Sequence, residues 1–150
     1  MGWSATAMKK LTACFLLACG LIGCSGDTKV PEEARHYAFS MENGTLEMKD
    51  GVHLAVTYYR PTAKKPGETF PVIMEMLPYR KDDFFALGDY EYGAYFAKRG
   101  YVVARVDVRG TGASEGSIPV SEYSEAEISD AEELIAQLSQ KSWSNGKVGM

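Results

Sequence analysis

Three groups of residues have the types and spacing to do chemistry. The first is Gly112-Ala113-Ser114-Glu115-Gly116, which fits Gly-x-Ser-x-Gly. That pattern marks a nucleophile elbow, a tight strand-to-helix turn that exposes a serine hydroxyl for attack on an acyl carbon. An elbow needs a helix directly after it. Here Ser117-Ile118-Pro119-Val120 follows, and no helix can start cleanly before Ser121. Residues 109–116 therefore read as a glycine-rich loop at the C-terminal end of a strand, with Ser114 a loop residue and not the nucleophile. The same loop lacks the Gly-Lys-Ser/Thr ending of a phosphate-binding loop and the Gly-x-Gly-x-x-Gly spacing of a dinucleotide site.

The second group is Cys14, Cys19 and Cys24, the only cysteines of the chain. With none later, the body of the chain has no disulfide framework and no thiolate metal site. Lys9-Lys10 precedes an apolar run from Leu11 to Gly23. A membrane-spanning helix needs about 20 such residues, so this shorter run fits a signal-peptide core instead. It ends in Leu21-Ile22-Gly23-Cys24, which resembles a bacterial lipobox whose cysteine receives lipid. The expectation is a lipoprotein signal peptide over 1–23, lipid on Cys24, and export to a membrane-anchored position on the periplasmic side or cell surface. Leu16-Leu17-Ala18-Cys19 is a weaker match, Met8 is an alternative start, and an ordinary signal peptide or N-terminal anchor is the competing reading. Residues 24–36 are polar, contain Pro31 and read as a tether.

The third group is charged and aromatic. Asp107 and Arg109 close an apolar strand, on the side where α/β sheets bind ligands. They could pair with each other or with Arg80 and hold the loop rigid. His36 and His53 lack metal-ligand spacing, and neither is placed to be a catalytic base. The net charge of −4, with no basic face, speaks against nucleic acid, which needs Lys and Arg against phosphates.

These groups need a scaffold. The 150 residues, 45% apolar and 24% charged, suffice for one ordinary globular domain. Asn43-Gly44 signals a hairpin turn and Asp50-Gly51 a second turn. Residues 52–59 then alternate as a half-buried strand. Phe70–Leu77 and Tyr101–Val108 are apolar runs of the kind that form parallel strands covered on both faces. Between them Tyr90–Arg99 reads as a helix capped by Gly100. Ser124 and Glu127 have capping-box spacing, and Ile128, Ala131, Leu134, Ile135 and Leu138 form the apolar stripe of a second helix ending near Gln140. A last strand is expected from Lys147. The predicted class is α/β, an antiparallel hairpin leading into a mostly parallel sheet flanked by helices.

In order and spacing, Asp50-Gly51-Val52-His53-Leu54-Ala55, Tyr59-Arg60-Pro61, Pro78-Tyr79-Arg80-Lys81, the block Asp107–Gly116 and the block Trp143–Met150 resemble the X-Pro dipeptidyl-peptidase-like serine hydrolases, also labelled CocE/NonD. The resemblance implies that residues 37–150 are the first part of an α/β-hydrolase domain, stopping at the start of its fifth strand. It implies that the nucleophilic serine, the acid and the histidine lie beyond Met150. It also implies that Tyr79 donates its hydroxyl to the oxyanion, and that no metal or organic cofactor is needed. The expected whole protein hydrolyses a small-molecule ester or amide, or a peptide, through an acyl-enzyme. Residues 1–150 alone are expected to be inactive and marginally folded, with the third strand left with an open edge. The competing reading is a non-catalytic lipoprotein binding module built on a hydrolase half-fold.

Overall fold

The computed structural model describes residues 37–83 and 86–150. The expected signal peptide, the expected tether and Cys24 lie outside the described residues. Seven elements follow in order: β1 (Phe39–Glu47), β2 (His53–Pro61), β3 (Phe70–Leu77), α1 (Ala86–Ala97), β4 (Val102–Asp107), α2 (Glu125–Ser139) and β5 (Ser144–Gly149). They form one sheet in the order β1-β2-β4-β3-β5. β1 pairs antiparallel with β2, and β2 antiparallel with β4, whereas β3 lies parallel to both β4 and β5.

The hairpin turn expected at Asn43-Gly44 does not form. Both residues sit inside β1, opposite Thr57 and Val56, and neither takes a positive φ. Asn43 is tied into the strand because the Thr57 hydroxyl donates to its side-chain oxygen at 2.7 Å. Gly44 lies beside the Tyr58 ring, which would stand in ordinary contact, 3.5 Å, from a Cβ there. The turn falls at Asp50-Gly51, where Gly51 takes φ +82° and donates its N–H to Met48 O.

β4 is buried along its whole length, as its apolar sequence implies. Val102, Ala104 and Val106 face one core with Leu54, Val56, Val72 and Met74, covered by Leu134 and Leu138 of α2. Val103 faces the other side, against Ala97 of α1 and Tyr59. The helices thus cover opposite faces. α1 approaches β2 closely because Gly93 has no side chain: a Cβ there would lie 2.6 Å from the Tyr59 ring. Arg105, also on the α1 face, holds Glu75 of β3 at 2.9 Å and Asp89 of α1 at 2.7 Å.

Two helix expectations shift. α1 covers Ala86–Ala97, so it starts before Tyr90 and ends before Arg99. It closes by a Schellman pair, Tyr101 N–H to Phe96 O and Gly100 N–H to Ala97 O, with Gly100 at φ +83°. α2 has the expected capping box, but its buried face is Asp130, Leu134 and Leu138. Ile128 and Ile135 are 52% and 37% exposed.

β5 also begins earlier than Lys147. It pairs with β3 through Phe70–Ser144, Val72–Val148 and Ile73–Gly149, with a register irregularity between the first two. The edge of β3 expected to be open is therefore covered over its first half.

Candidate functional site

β3, β4 and β5 are mutually parallel, so their C-terminal ends lie on one side of the sheet, where such sheets bind ligands. Three segments meet there: the turn after β3, the glycine-rich loop after β4 and the end of β5.

Tyr79 stands in the turn 78–81. It is 74% exposed, and its hydroxyl makes no hydrogen bond among the described residues. Between this turn and α2 lies a cavity of about 420 Å³. Its apolar wall is Met76, Val108, Ile128 and Ile135; Tyr79 and Met150, the residue after β5, both border it. The exposed stripe of α2 is thus a wall of this hollow, which explains why Ile128 and Ile135 escaped the core. Glu122 and Glu132 border it as well.

The loop 109–116 is built by strict local demands. Gly110, Gly112 and Gly116 take φ of +73°, +55° and +88°. Gly110 donates its N–H to Glu115 O and Ser114 its N–H to Thr111 O. The Ser114 hydroxyl donates to Asp107 O at 2.7 Å and accepts the Ala55 N–H at 2.8 Å. Both capacities are engaged in holding loop to strand, and residues 115–124 contain no helix. Ser114 thus ties the loop to β2, the loop role expected of it.

His53 does the same from β2. Its main-chain N–H and its Nδ1 meet Glu115 Oε2 at 3.1 and 3.0 Å. The His53 N–H first, and its ring second, hold the Glu115 carboxyl below the usual carboxylate range.

Asp107 and Arg109 do not pair with each other or with Arg80. Asp107, 1% exposed, accepts the Lys81 N–H on Oδ1 at 2.6 Å and the Ala113 N–H on Oδ2 at 3.0 Å. Arg109 turns instead to α2. Its Nε and Nη2 grip the two Asp130 oxygens at 2.8 and 2.6 Å, while Nη1 reaches Asp50 at 2.9 Å. Those hydrogen bonds, to Asp130 first, raise the already high guanidinium pKa further. The reason is geometric. Asp107 is on the α1 face of β4, whereas Arg109 lies past the strand and faces the opposite helix. Asp130 was not singled out from sequence. The signal was there: an acid one turn before Leu134 and two turns before Leu138, on a helix face that had to be buried.

Among the described residues no group of three His, Cys, Asp or Glu side chains could hold a metal ion, and no helix is long and apolar enough to cross a membrane.

Residues 50–150 match the X-Pro dipeptidyl-peptidase (S15) family. The chain is similar to a cocaine esterase of a Rhodococcus species, 38% identical over 109 residues that cover 72% of this chain and 18% of that protein. Among solved structures it is similar to a CocE/NonD family hydrolase from Staphylococcus aureus, with TM-score 0.61 and 31% identity over 74% of this chain and 22% of that one. An α-amino acid ester hydrolase gives TM-score 0.54 and 29% identity over 75% of this chain and 20% of that one. A Pyrococcus furiosus esterase shares the fold at 19% identity, with TM-score 0.54. The chain spans about a fifth of the length of these first relatives. Its sheet and helices have the α/β-hydrolase fold, and the chain belongs to the X-Pro dipeptidyl-peptidase (S15) family.

Proposed function

We propose that this chain is the opening part of an exported serine hydrolase that cleaves ester or amide bonds through an acyl-enzyme. The observation that carries the reading is the shared border of one cavity: Tyr79, leaving β3, and Met150, leaving β5, both face it. In this reading the chain past Met150 delivers the serine from the end of β5. Attack on the acyl carbon drives negative charge onto the carbonyl oxygen, and Tyr79 donates its free hydroxyl to that oxygen. A fixed donor at that point is worth about 3–4 kcal/mol of barrier. A histidine and an acid further along the whole protein move and orient the proton. The substrate is a small acyl ester, an amide or a peptide, and residues 1–150 alone turn over nothing.

We further propose that Cys24 carries lipid and anchors the mature protein to a membrane outside the cytoplasm. The lipobox-like Leu21-Ile22-Gly23-Cys24 supports this. Labelled palmitate should enter the native protein and not its Cys24→Ala variant. Equal labelling of both sinks the anchor.

The catalytic reading is tested on the product translated past codon 150, with a p-nitrophenyl acyl ester and a Gly-Pro anilide as substrates. Tyr79→Phe should lower kcat about 100-fold or more with KM little changed. An undiminished kcat, or the absence of a serine at the end of β5, refutes it. A protein that binds these substrates without hydrolysing them would favour the binding-module reading.

A further inference from the structure

Nothing among the described residues holds the Tyr79 side chain, so its position is set by the backbone of the turn 78–81. Arg80 takes φ +71°, a left-handed conformation that a non-glycine residue keeps only where its surroundings over-determine it. The next N–H, of Lys81, is where the turn is fastened: it donates to Asp107 Oδ1 at 2.6 Å. The other oxygen of Asp107 is held by the Ala113 N–H, and a Cβ on Gly112 would overlap the carboxylate. Among the described residues no cation pairs with Asp107; Lys81 Nζ is turned to Asp82 instead. A buried carboxylate without a counter-ion is a costly device for fastening two loops.

We propose that Asp107 is the positioning residue for Tyr79, clamping the turn after β3 to the glycine-rich loop so that the tyrosine hydroxyl is held at the reacting oxygen. The proposal rests on the reading of Tyr79 as the oxyanion donor. The Gly112-Ala113 segment is the far jaw of the clamp, and its glycine is demanded by contact with the carboxylate, which a phosphate-loop reading would not require.

Asp107→Asn tests this in the catalytically complete protein. Asparagine offers one acceptor oxygen, so one of the two N–H groups is left facing an NH2. The Lys81 or the Ala113 amide should exchange with solvent at least about tenfold faster, while amides of the β1–β2 ladder are unchanged. Because a misplacement of about 1 Å can cost 100-fold, kcat should fall about 10- to 100-fold with KM within about twofold. In a Tyr79→Phe background the same substitution should cost less than about twofold more, because the group being positioned is already gone.

A full multiplicative loss in the double variant overturns the proposal while leaving the oxyanion reading intact. A Tyr79→Phe variant with undiminished kcat overturns both. Should Asp107→Asn fail to fold, exchange in the unsubstituted protein decides. Protection of the Lys81 amide by about 100-fold over an open chain is expected, and an unprotected amide overturns the clamp.

Discussion

Arg109 is the joint between the hairpin turn, the glycine-rich loop and α2, and replacing it should reveal how the strand ends are held over the second helix. Its side chain is 14% exposed and that of its main partner, Asp130, only 3%. The grip is bidentate, the arrangement in which a guanidinium fits a carboxylate best. Removing the cation alone, as Arg109→Met, strands the Asp130 carboxylate in the interior. Breaking such a pair costs about 3–5 kcal/mol, most of it the unpaired charge and not the lost attraction. At a urea sensitivity of about 1–3 kcal/mol per molar, the unfolding midpoint should drop by about 1–5 M. Two controls separate burial from charge counting. Asp50→Asn removes the third bond of the same guanidinium, but the Asp50 side chain is 52% exposed, and the midpoint should barely move. Arg109→Met with Asp130→Leu removes both buried charges and should restore the midpoint to within about 1 M of the parent. If Arg109→Met costs no more than Asp50→Asn, or if the double variant is as weak as Arg109→Met alone, the reasoning is wrong.

Other expectations are narrower. Gly93→Ala puts a methyl 2.6 Å from the Tyr59 ring and should destabilise by about 1–3 kcal/mol in urea unfolding; an unchanged or raised midpoint refutes the close approach of α1. Burial pushes the Tyr58 hydroxyl up to about 12. A folded value above the unfolded one near 10 means stability that is present below about pH 10 and lost as pH rises toward 12. Fluorescence of Trp143, whose ring lies 5.7 Å from that of Tyr58, should report alkaline loosening that Tyr58→Phe reduces; an identical alkaline profile in the variant counts against it. The Glu115 carboxyl is held below its usual range by His53, so its contribution is present above that range and lost as pH falls through it. Amides of residues 110–116 should open in acid, and in Glu115→Gln should be open already at neutral pH. Equal acid opening in both proteins would remove His53–Glu115 as the latch.

What could be read in advance was whatever the chain encodes locally. The apolar runs that became β3 and β4 needed no partner to identify them, because strands buried on both faces have few polar positions. The capping box of Ser124 and Glu127 is likewise a four-residue fact. Gly100 marked its helix end because only a left-handed residue can close it there. What could not be read was long-range. Asn43-Gly44 is a turn signal in isolation, yet nine register pairs with β2 outweigh it. Leu134 and Leu138 of the α2 stripe are buried as expected, but the buried face is rotated away from Ile128 and Ile135 because Asp130 turns inward to meet an arginine 21 residues earlier. At the site, Tyr79 stood out only through the family pattern. Its clamp was invisible, since the groups that Asp107 accepts are backbone N–H bonds, which every residue but proline carries.

The sheet order carries a cost in time. β2 pairs on one side with β1, its neighbour in the chain, but on the other with β4, which is synthesised only after β3 and α1. β3 in turn fits between β4 and β5, the latter the last of the described strands to be made. At about 5–20 residues per second, the hairpin leaves the ribosome seconds before β4, the strand it needs. On the proposal that the chain is exported, that delay is an advantage: a sheet that cannot close early stays threadable while a leader is being recognised.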